Sequence, residues 1–236
     1  MMHRTIRSGY VSAIRGARVV ANKTGVLDRL EAGPHRRSRW LRSLFAIYDF
    51  DDLARLDLPW WTFDAIDTVE RFLAGRPQAR VFEWGSGAST LWLSRRAGEV
   101  ISVEHDPEWS DMVARKLAGC AHVALRHVPA QAAGEVASRK AGFAGQYFDD
   151  YVRAIRDVPG ALDLIVIDGR AREVCLREAA DRLAPGGMIL LDDFRRKRYQ
   201  VAAEASGLKI ARHEGLAVCL PLPDSTAVLT RRRALA

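Results

Sequence analysis

The stretch Val81-Phe-Glu-Trp-Gly-Ser-Gly-Ala-Ser-Thr-Leu-Trp-Leu-Ser94 constrains the fold more than any other part of the chain. Two apolar residues lead into an acid, two glycines follow two apart, and an apolar-periodic run starts at about Ala88. That is the pattern of a strand, a tight turn and a helix. The glycines let backbone N–H groups approach a ligand with no Cβ in the way, and the helix start turns free N–H groups and positive partial charge towards it. A plain strand-to-helix turn satisfies the same residues.

Alternation of this kind repeats along the chain. Val100-Ile-Ser-Val-Glu104 is a second apolar run ending in an acid, Val123 to Val128 a third, and Leu162 to Asp168 a fourth. Met188-Ile-Leu-Leu-Asp192-Asp193 is a fifth, entered through Pro185-Gly-Gly187. Helical patterns lie between them, one opened by the N-cap and first-turn proline of Asp106-Pro107, others over Phe148 to Ile155 and over 171–183. Strands that are apolar throughout and alternate with helices predict a parallel sheet buried on both faces. Segments near Leu208 to Ala211 and Thr226 to Thr230 could close the sheet, in an order that periodicity leaves open. Upstream, Leu58-Pro-Trp-Trp61 introduces a helix through about Leu73, its tryptophans either packing that helix on the sheet or walling a pocket.

The chemistry around the glycines discriminates between ligands. A dinucleotide fingerprint wants a third glycine where this chain has Thr90 and needs no acid at Glu83, so both residues argue against NAD. An acid at the end of the first strand suits a ligand with an ammonium group and a sulfonium, such as S-adenosylmethionine. Glu104 follows Gly87 by 17 residues, near where a nucleoside-binding sheet places the carboxylate that accepts hydrogen bonds from ribose hydroxyls.

Length and charge divide the chain. Its 236 residues, 48% hydrophobic and 28% charged, suit one globular domain at 58–236 preceded by a basic helical extension at 1–57. The net charge of +7 suggests nucleic acid until it is located: residues 1–45 contribute +8 and the remainder −1. On a helical wheel of 4–18, Arg4, Arg7, Arg15 and Arg18 lie roughly opposite Ile6, Tyr10, Ala13, Ile14 and Ala17. A solvated helix, a surface docked on an anionic membrane or an acidic partner, and a targeting segment all remain open. Cys120, Cys175 and Cys219 show no paired or metal-ligand spacing, and no apolar run approaches a membrane span. The expected location is cytoplasmic, with peripheral membrane association and homo-oligomerisation left open.

Four features coincide in order: Glu83-x-Gly85-x-Gly87, Glu104 closing the second strand, Asp168 closing the fourth, and Leu183-Ala-Pro-Gly-Gly-Met-Ile-Leu-Leu-Asp192 leading into the fifth. Over roughly residues 60–230 this set resembles the class I S-adenosylmethionine-dependent methyltransferases. The resemblance implies an α/β, Rossmann-like, doubly wound seven-stranded sheet, last strand antiparallel, with helices on both faces. It implies that Glu83 and the Gly85-Ser86-Gly87 loop hold the methionine end of the cofactor, with Ser89, Thr90 and Asp168 in the same set. Glu104 would hold the ribose and His105 would lie near the adenine.

The end of the chain is similar to catechol O-methyltransferase-like enzymes, in which an acid after the fourth strand and an Asp-Asn pair after the fifth hold a divalent metal. The corresponding residues here are Asp168, Asp192 and Asp193, with Asp in place of Asn. As metal ligands they form a hard oxygen set suited to Mg²⁺ or Ca²⁺, and without a cation they repel one another. The expected activity is methyl transfer to a hydroxyl of a small molecule or glycan. A metal would lower that hydroxyl's pKa; without one, Asp168 or His213 would be the base, so Asp168, Asp192 and His213 are the catalytic candidates. Arg170 and Arg195 to Arg198 either bind an anionic acceptor or form a solvated loop. Two other classes stay open: a nucleic-acid methyltransferase, disfavoured because Ile167-Asp-Gly-Arg170 lacks the Asn/Asp-Pro-Pro-aromatic signature, and a nucleotide-binding oxidoreductase or non-catalytic cofactor module.

Overall fold

The computed structural model describes residues 4–139 and 141–232, with side chains from Val11 onward. The side chains of Arg4, Ile6, Arg7 and Tyr10, on which the N-terminal wheel partly rests, lie outside that description. Helices α1 (Arg4–Lys23), α2 (Val26–Ala32), α3 (Arg36–Leu44), α4 (Phe50–Leu56) and α5 (Phe63–Ala74) precede the first strand. Then β1 (Arg80–Trp84), α6 (Ala88–Ser94), β2 (Glu99–Glu104), α7 (Pro107–Lys116) and β3 (Val123–His127) alternate. The second half runs through α8 (Asp149–Arg153), a 3₁₀ turn at Ala154–Asp157, β4 (Leu162–Ile167), α9 (Arg172–Arg182) and β5 (Leu183–Leu191). It closes with α10 (Lys197–Ala205), β6 (Lys209–Gly215) and β7 (Asp224–Thr230).

The strands form one seven-stranded sheet in the order β3-β2-β1-β4-β5-β7-β6. Pairings from β3 through β5 are parallel, and β7 inserts antiparallel between β5 and β6. This is the Rossmann-like sheet that the resemblance implies. Period-two alternation then assigns side chains to faces. Phe82, Trp84, Ile165, Ile167, Ile189 and Leu191 join the core under α8, α9 and α10. Val81, Leu164, Val166, Met188 and Leu190 join the core under α5, α6 and the N-terminal helices. Both faces are buried, which is why these strands read as uninterrupted apolar runs.

The Pro185-Gly-Gly187 turn is part of β5 and makes a bulge, where pairing jumps from Leu162↔Leu183 to Leu164↔Met188. The charge run after β5 differs from a solvated loop: Lys197 opens α10, whose Tyr199 and Ala203 pack into the core.

The basic extension is held by acids of its own and of α5. The Arg42 and Asp52 side chains are each 3% exposed and paired twice, at 2.7 and 3.0 Å, while Arg42 Nε donates to Glu31 at 2.6 Å. Arg36 bridges Asp64 and Asp67 of α5, and Arg18 bridges Asp49 and Asp52. Trp40 Nε1 donates to the Leu220 carbonyl at 2.9 Å, and Ala46, Ile47 and Leu53 enter the same core as α5. No helix among the described residues is long and apolar enough to cross a membrane.

Candidate active site

In the order β3-β2-β1-β4-β5 the connections from β1 and β4 leave to opposite faces, so a crevice opens beyond the carboxyl ends of these two strands. Gly85, just past β1, has φ +94°, and a Cβ there would stand 2.6 Å from Gly169 Cα. Gly169, just past β4, could carry a Cβ only 1.9 Å from the Tyr151 hydroxyl. The two loops therefore touch backbone to backbone, which only a glycine pair allows. The sequence signalled Gly85; Gly169 is legible only once β4 is known to lie beside β1. Over Gly87 lies Trp109, whose Nε1 donates to the Ser86 carbonyl at 2.7 Å.

Glu83 sits inside the face that α6 covers. Its Oε1 accepts from Ser89 Oγ at 2.5 Å, and its Oε2 accepts from Thr90 Oγ1 at 2.5 Å and Ser102 Oγ at 2.7 Å. Thr90 Oγ1 in turn accepts from the Gly87 N–H at 2.8 Å and caps the helix start. Burial pushes the Glu83 carboxyl up to about 7 against these three donors. The structure differs here from the expected grip on a ligand ammonium. Glu83 has no exposed surface, and the Ser89 and Thr90 hydroxyls are taken up in fastening α6 to β1 and β2.

Glu104 ties the glycine loop to the loop after β2. Its Oε2 accepts from the Ser86 N–H at 3.1 Å, its Oε1 from the N–H groups of His105 and Asp106 at 2.8 and 2.9 Å, and His105 Nδ1 lies 2.5 Å from Oε1. Beyond it a cleft of about 550 Å³ opens between His105, Pro107, Ala130, Gln131, Phe143 and Gln146. Arg170 closes one side, its Nε donating to His105 Nε2 at 3.3 Å and its guanidinium 4.6 Å from the Phe143 ring centre. Burial lowers the Arg170 pKa, and no carboxylate among the described residues lies within ion-pair distance of it. Gln131 and Phe143 carried no sequence signal, because their role depends on where irregular segments fold back, and Trp109 read only as part of the apolar face of α7. The glycine pair leaves room here for the close backbone approach of a nucleoside cofactor, and Glu104 stands at the end of β2 where a ribose-binding acid is expected.

Asp168, Asp192 and Asp193 do converge, from the loops after β4 and β5, but on a guanidinium. Arg172 Nη2 lies 2.7 Å from Asp168 Oδ1 and 3.3 Å from Asp193 Oδ2, and Nη1 lies 3.7 Å from Asp192 Oδ2. Asp192 Oδ1 accepts from Thr226 Oγ1 at 2.8 Å, and Asp193, at φ +58°, also pairs with Arg196 at 2.8 Å. Burial pushes Asp168 up to about 6, opposed by Arg172 and assisted by Asp193; the indole N–H of buried Trp61 also favours the carboxylate, without reaching hydrogen-bond geometry. Burial, with Asp168 and Asp193 beside it, raises Asp192 as well. The expected metal set is thereby corrected. Its oxygens are engaged by cationic and hydroxyl donors, and no group of three or more His, Cys, Asp or Glu among the described residues is arranged to hold an ion.

His213 lies on β6 opposite Thr226 and near Asp64 and Arg71 of α5, where burial lowers its pKa and its Nε2 is buried without a hydrogen-bond partner. Of the arginine run, Arg195 donates to the Pro223 carbonyl at 2.6 Å, Arg196 pairs with Asp193, and Arg198 pairs with Glu173 at 3.2 Å over the Tyr199 ring.

Residues 82–194 match the family model described as "Methyltransferase domain". No curated protein matches the chain in sequence. Among solved structures, an rRNA methylase from Streptococcus thermophilus superposes with a TM-score of 0.51 at 11% identity, covering 71% of this chain and 96% of that one. A precorrin-6y C5,15-methyltransferase from Geobacter metallireducens gives 0.51 at 14% identity, over 72% and 88% of the two chains. The segment from β1 through β5 is therefore similar in sequence to a methyltransferase domain, and it lies in a seven-stranded sheet with the Rossmann-like fold of these solved structures.

Proposed function

We propose that the protein is an S-adenosylmethionine-dependent methyltransferase acting on a hydroxyl of a small molecule or glycan. The observation that carries this reading is the crevice at the β1–β4 switch point, walled by Glu104 on one side and by the Asp168–Arg172 cluster on the other. When bound, the cofactor supplies a methyl carbon activated by its sulfonium. The chain's part is to align the acceptor and to take its proton.

Gly85, Ser86, Gly87 and Gly169 offer backbone to the cofactor without side chains in the way, Glu104 faces its ribose, and His105 and Arg170 flank the cleft where its base would lie. Asp168 is the proton acceptor of choice. At about 6 its pKa leaves it mostly ionised at neutral pH, yet it is a stronger base than an ordinary carboxylate. Asp192 lies beside it with Oδ2 turned to Arg172 and supports the same role. A divalent metal does not fit this donor set, whose oxygens face Arg172. Pairing of Arg18, Arg36 and Arg42 with acids of the same chain removes much of the basic surface that a nucleic-acid substrate would need.

Calorimetry with S-adenosylmethionine and with NAD tests the reading directly. Binding of the first alone is expected, and binding of NAD alone overturns it. Incubation of metabolite extracts with methyl-labelled cofactor then identifies the acceptor.

A further inference from the structure

We propose that Arg172 is a built-in counter-ion, its guanidinium standing where three strand-end carboxylates would otherwise gather a divalent cation, so that the protein neither needs nor takes one. The cluster has its own source of charge. Arg172, with a side chain 9% exposed, reaches Asp168 and Asp193 through Nη2, and Arg196 adds a second positive charge on Asp193. Two guanidiniums thus provide the +2 that a divalent ion would bring.

The Arg172 side chain is also anchored independently of the acids. Nη2 donates to the Asp168 carbonyl at 2.7 Å and Nε to the Gly169 carbonyl at 3.1 Å, so the group is positioned by backbone as well as by charge. Nη1 is buried and has no hydrogen-bond partner, and the nearest Asp192 oxygen stands 3.7 Å away. An unmatched buried donor beside a carboxylate costs free energy unless a ligand oxygen completes it. Nη1 and Asp192 Oδ2 together form such a place, one donating to a hydroxyl oxygen and the other able to accept its proton.

Removing the guanidinium leaves three carboxylates that had converged on one point, a hard oxygen set for Mg²⁺, Ca²⁺ or Mn²⁺. Thermal unfolding of wild type, Arg172→Ala, Arg172→Gln and the triple variant Arg172→Ala/Asp192→Asn/Asp193→Asn, each in EDTA and in millimolar Mg²⁺, Ca²⁺ or Mn²⁺, makes the test. The wild-type Tm is expected to be the same in chelator and in every cation. At least one single variant is expected to gain about 5 °C or more with a cation, by mass action on the folded state. The triple variant, which keeps the loss of Arg172 but lacks two of the acids, is expected to lose that gain. A wild type stabilised by the same cations overturns the inference, as do two single variants that both stay indifferent to them, folded or unfolded. Binding of S-adenosylmethionine to the wild type is read separately, so failure of the methyltransferase reading leaves this result standing.

Discussion

Glu83 makes the stability of this protein depend on pH in a direction opposite to that of most carboxylates. Its side chain has no exposed surface and is raised from 4.5 to about 7, chiefly by burial, with Ser89, Thr90 and Ser102 opposing and Asp168 adding to the rise. Below pH 4.5 the group is neutral in the folded and the unfolded chain, and its contribution is fully present. Between pH 4.5 and about 7 the unfolded chain releases the proton and the folded chain keeps it, so stability falls by about 1.4 kcal/mol per pH unit. The total loss is about 3 kcal/mol, and above pH 7 it stays constant. Glu83→Gln keeps an oxygen that accepts from two hydroxyls and an amide that can donate to the third, but it does not titrate. Urea unfolding of wild type and Glu83→Gln from pH 4.5 to 8 isolates the effect as a difference, with every other titrating group common to both. The variant is expected to gain about 3 kcal/mol on the wild type across that range. Parallel curves, or a wild type that gains on the variant as pH rises, refute the assignment of a protonated, internally bonded Glu83.

Three further outcomes follow from the geometry. Gly85→Ala forces a side chain into a φ of +94° and against Gly169, and is expected to cost about 1–3 kcal/mol of stability and to weaken S-adenosylmethionine binding in calorimetry. Arg42→Met takes the buried, doubly bonded partner from Asp52, which is 3% exposed and keeps Arg18 and Arg55, and is expected to cost about 1–3 kcal/mol in urea unfolding, part of it regained in Arg42→Met/Asp52→Leu. Thr90→Val removes both the cap on the Gly87 N–H and a donor to Glu83, and is expected to lower stability by about 1–3 kcal/mol without changing the far-UV spectrum.

The sheet was legible because each central strand is buried on both faces and so is written as an unbroken apolar run. Phe82 and Trp84 on one side of β1, and Val81 on the other, are all fully enclosed. Helix α10 was not legible. Its first residues belong to a run of arginine and lysine, and its buried positions, Tyr199 and Ala203, are too sparse to outweigh that charge. The ion pairs of the N-terminal arginines were not legible for a related reason. Arg18 and Asp49 are 31 residues apart, as are Arg36 and Asp67, and no local pattern reports ion pairs at that separation.

The site shows the same limit in sharper form. Strand ends place Asp168, Asp192 and Asp193 at one edge of the sheet, and their convergence follows from β4 and β5 being neighbours. What neutralises them does not follow from the strands, because the cation comes from a helix. Arg172 is the first residue of α9, reached through Ala171 in a left-handed turn at φ +49°. Long side chains at a helix start lean back past the helix N-terminus, so this turn throws the guanidinium over the ends of β4 and β5. A lysine could bring the charge but not the planar fork that sets Nη2 on Asp168 and Asp193 while Nε holds the Gly169 carbonyl. Whether such an acid cluster takes a metal or an arginine is thus decided by the backbone of one residue between a strand and a helix. That makes Ala171 as informative a position as the acids themselves: Ala171→Gly, which eases the turn, is expected to leave the Tm indifferent to cations. Ala171→Pro, which fixes φ near −65°, is expected to swing Arg172 away and give the cation response of Arg172→Ala.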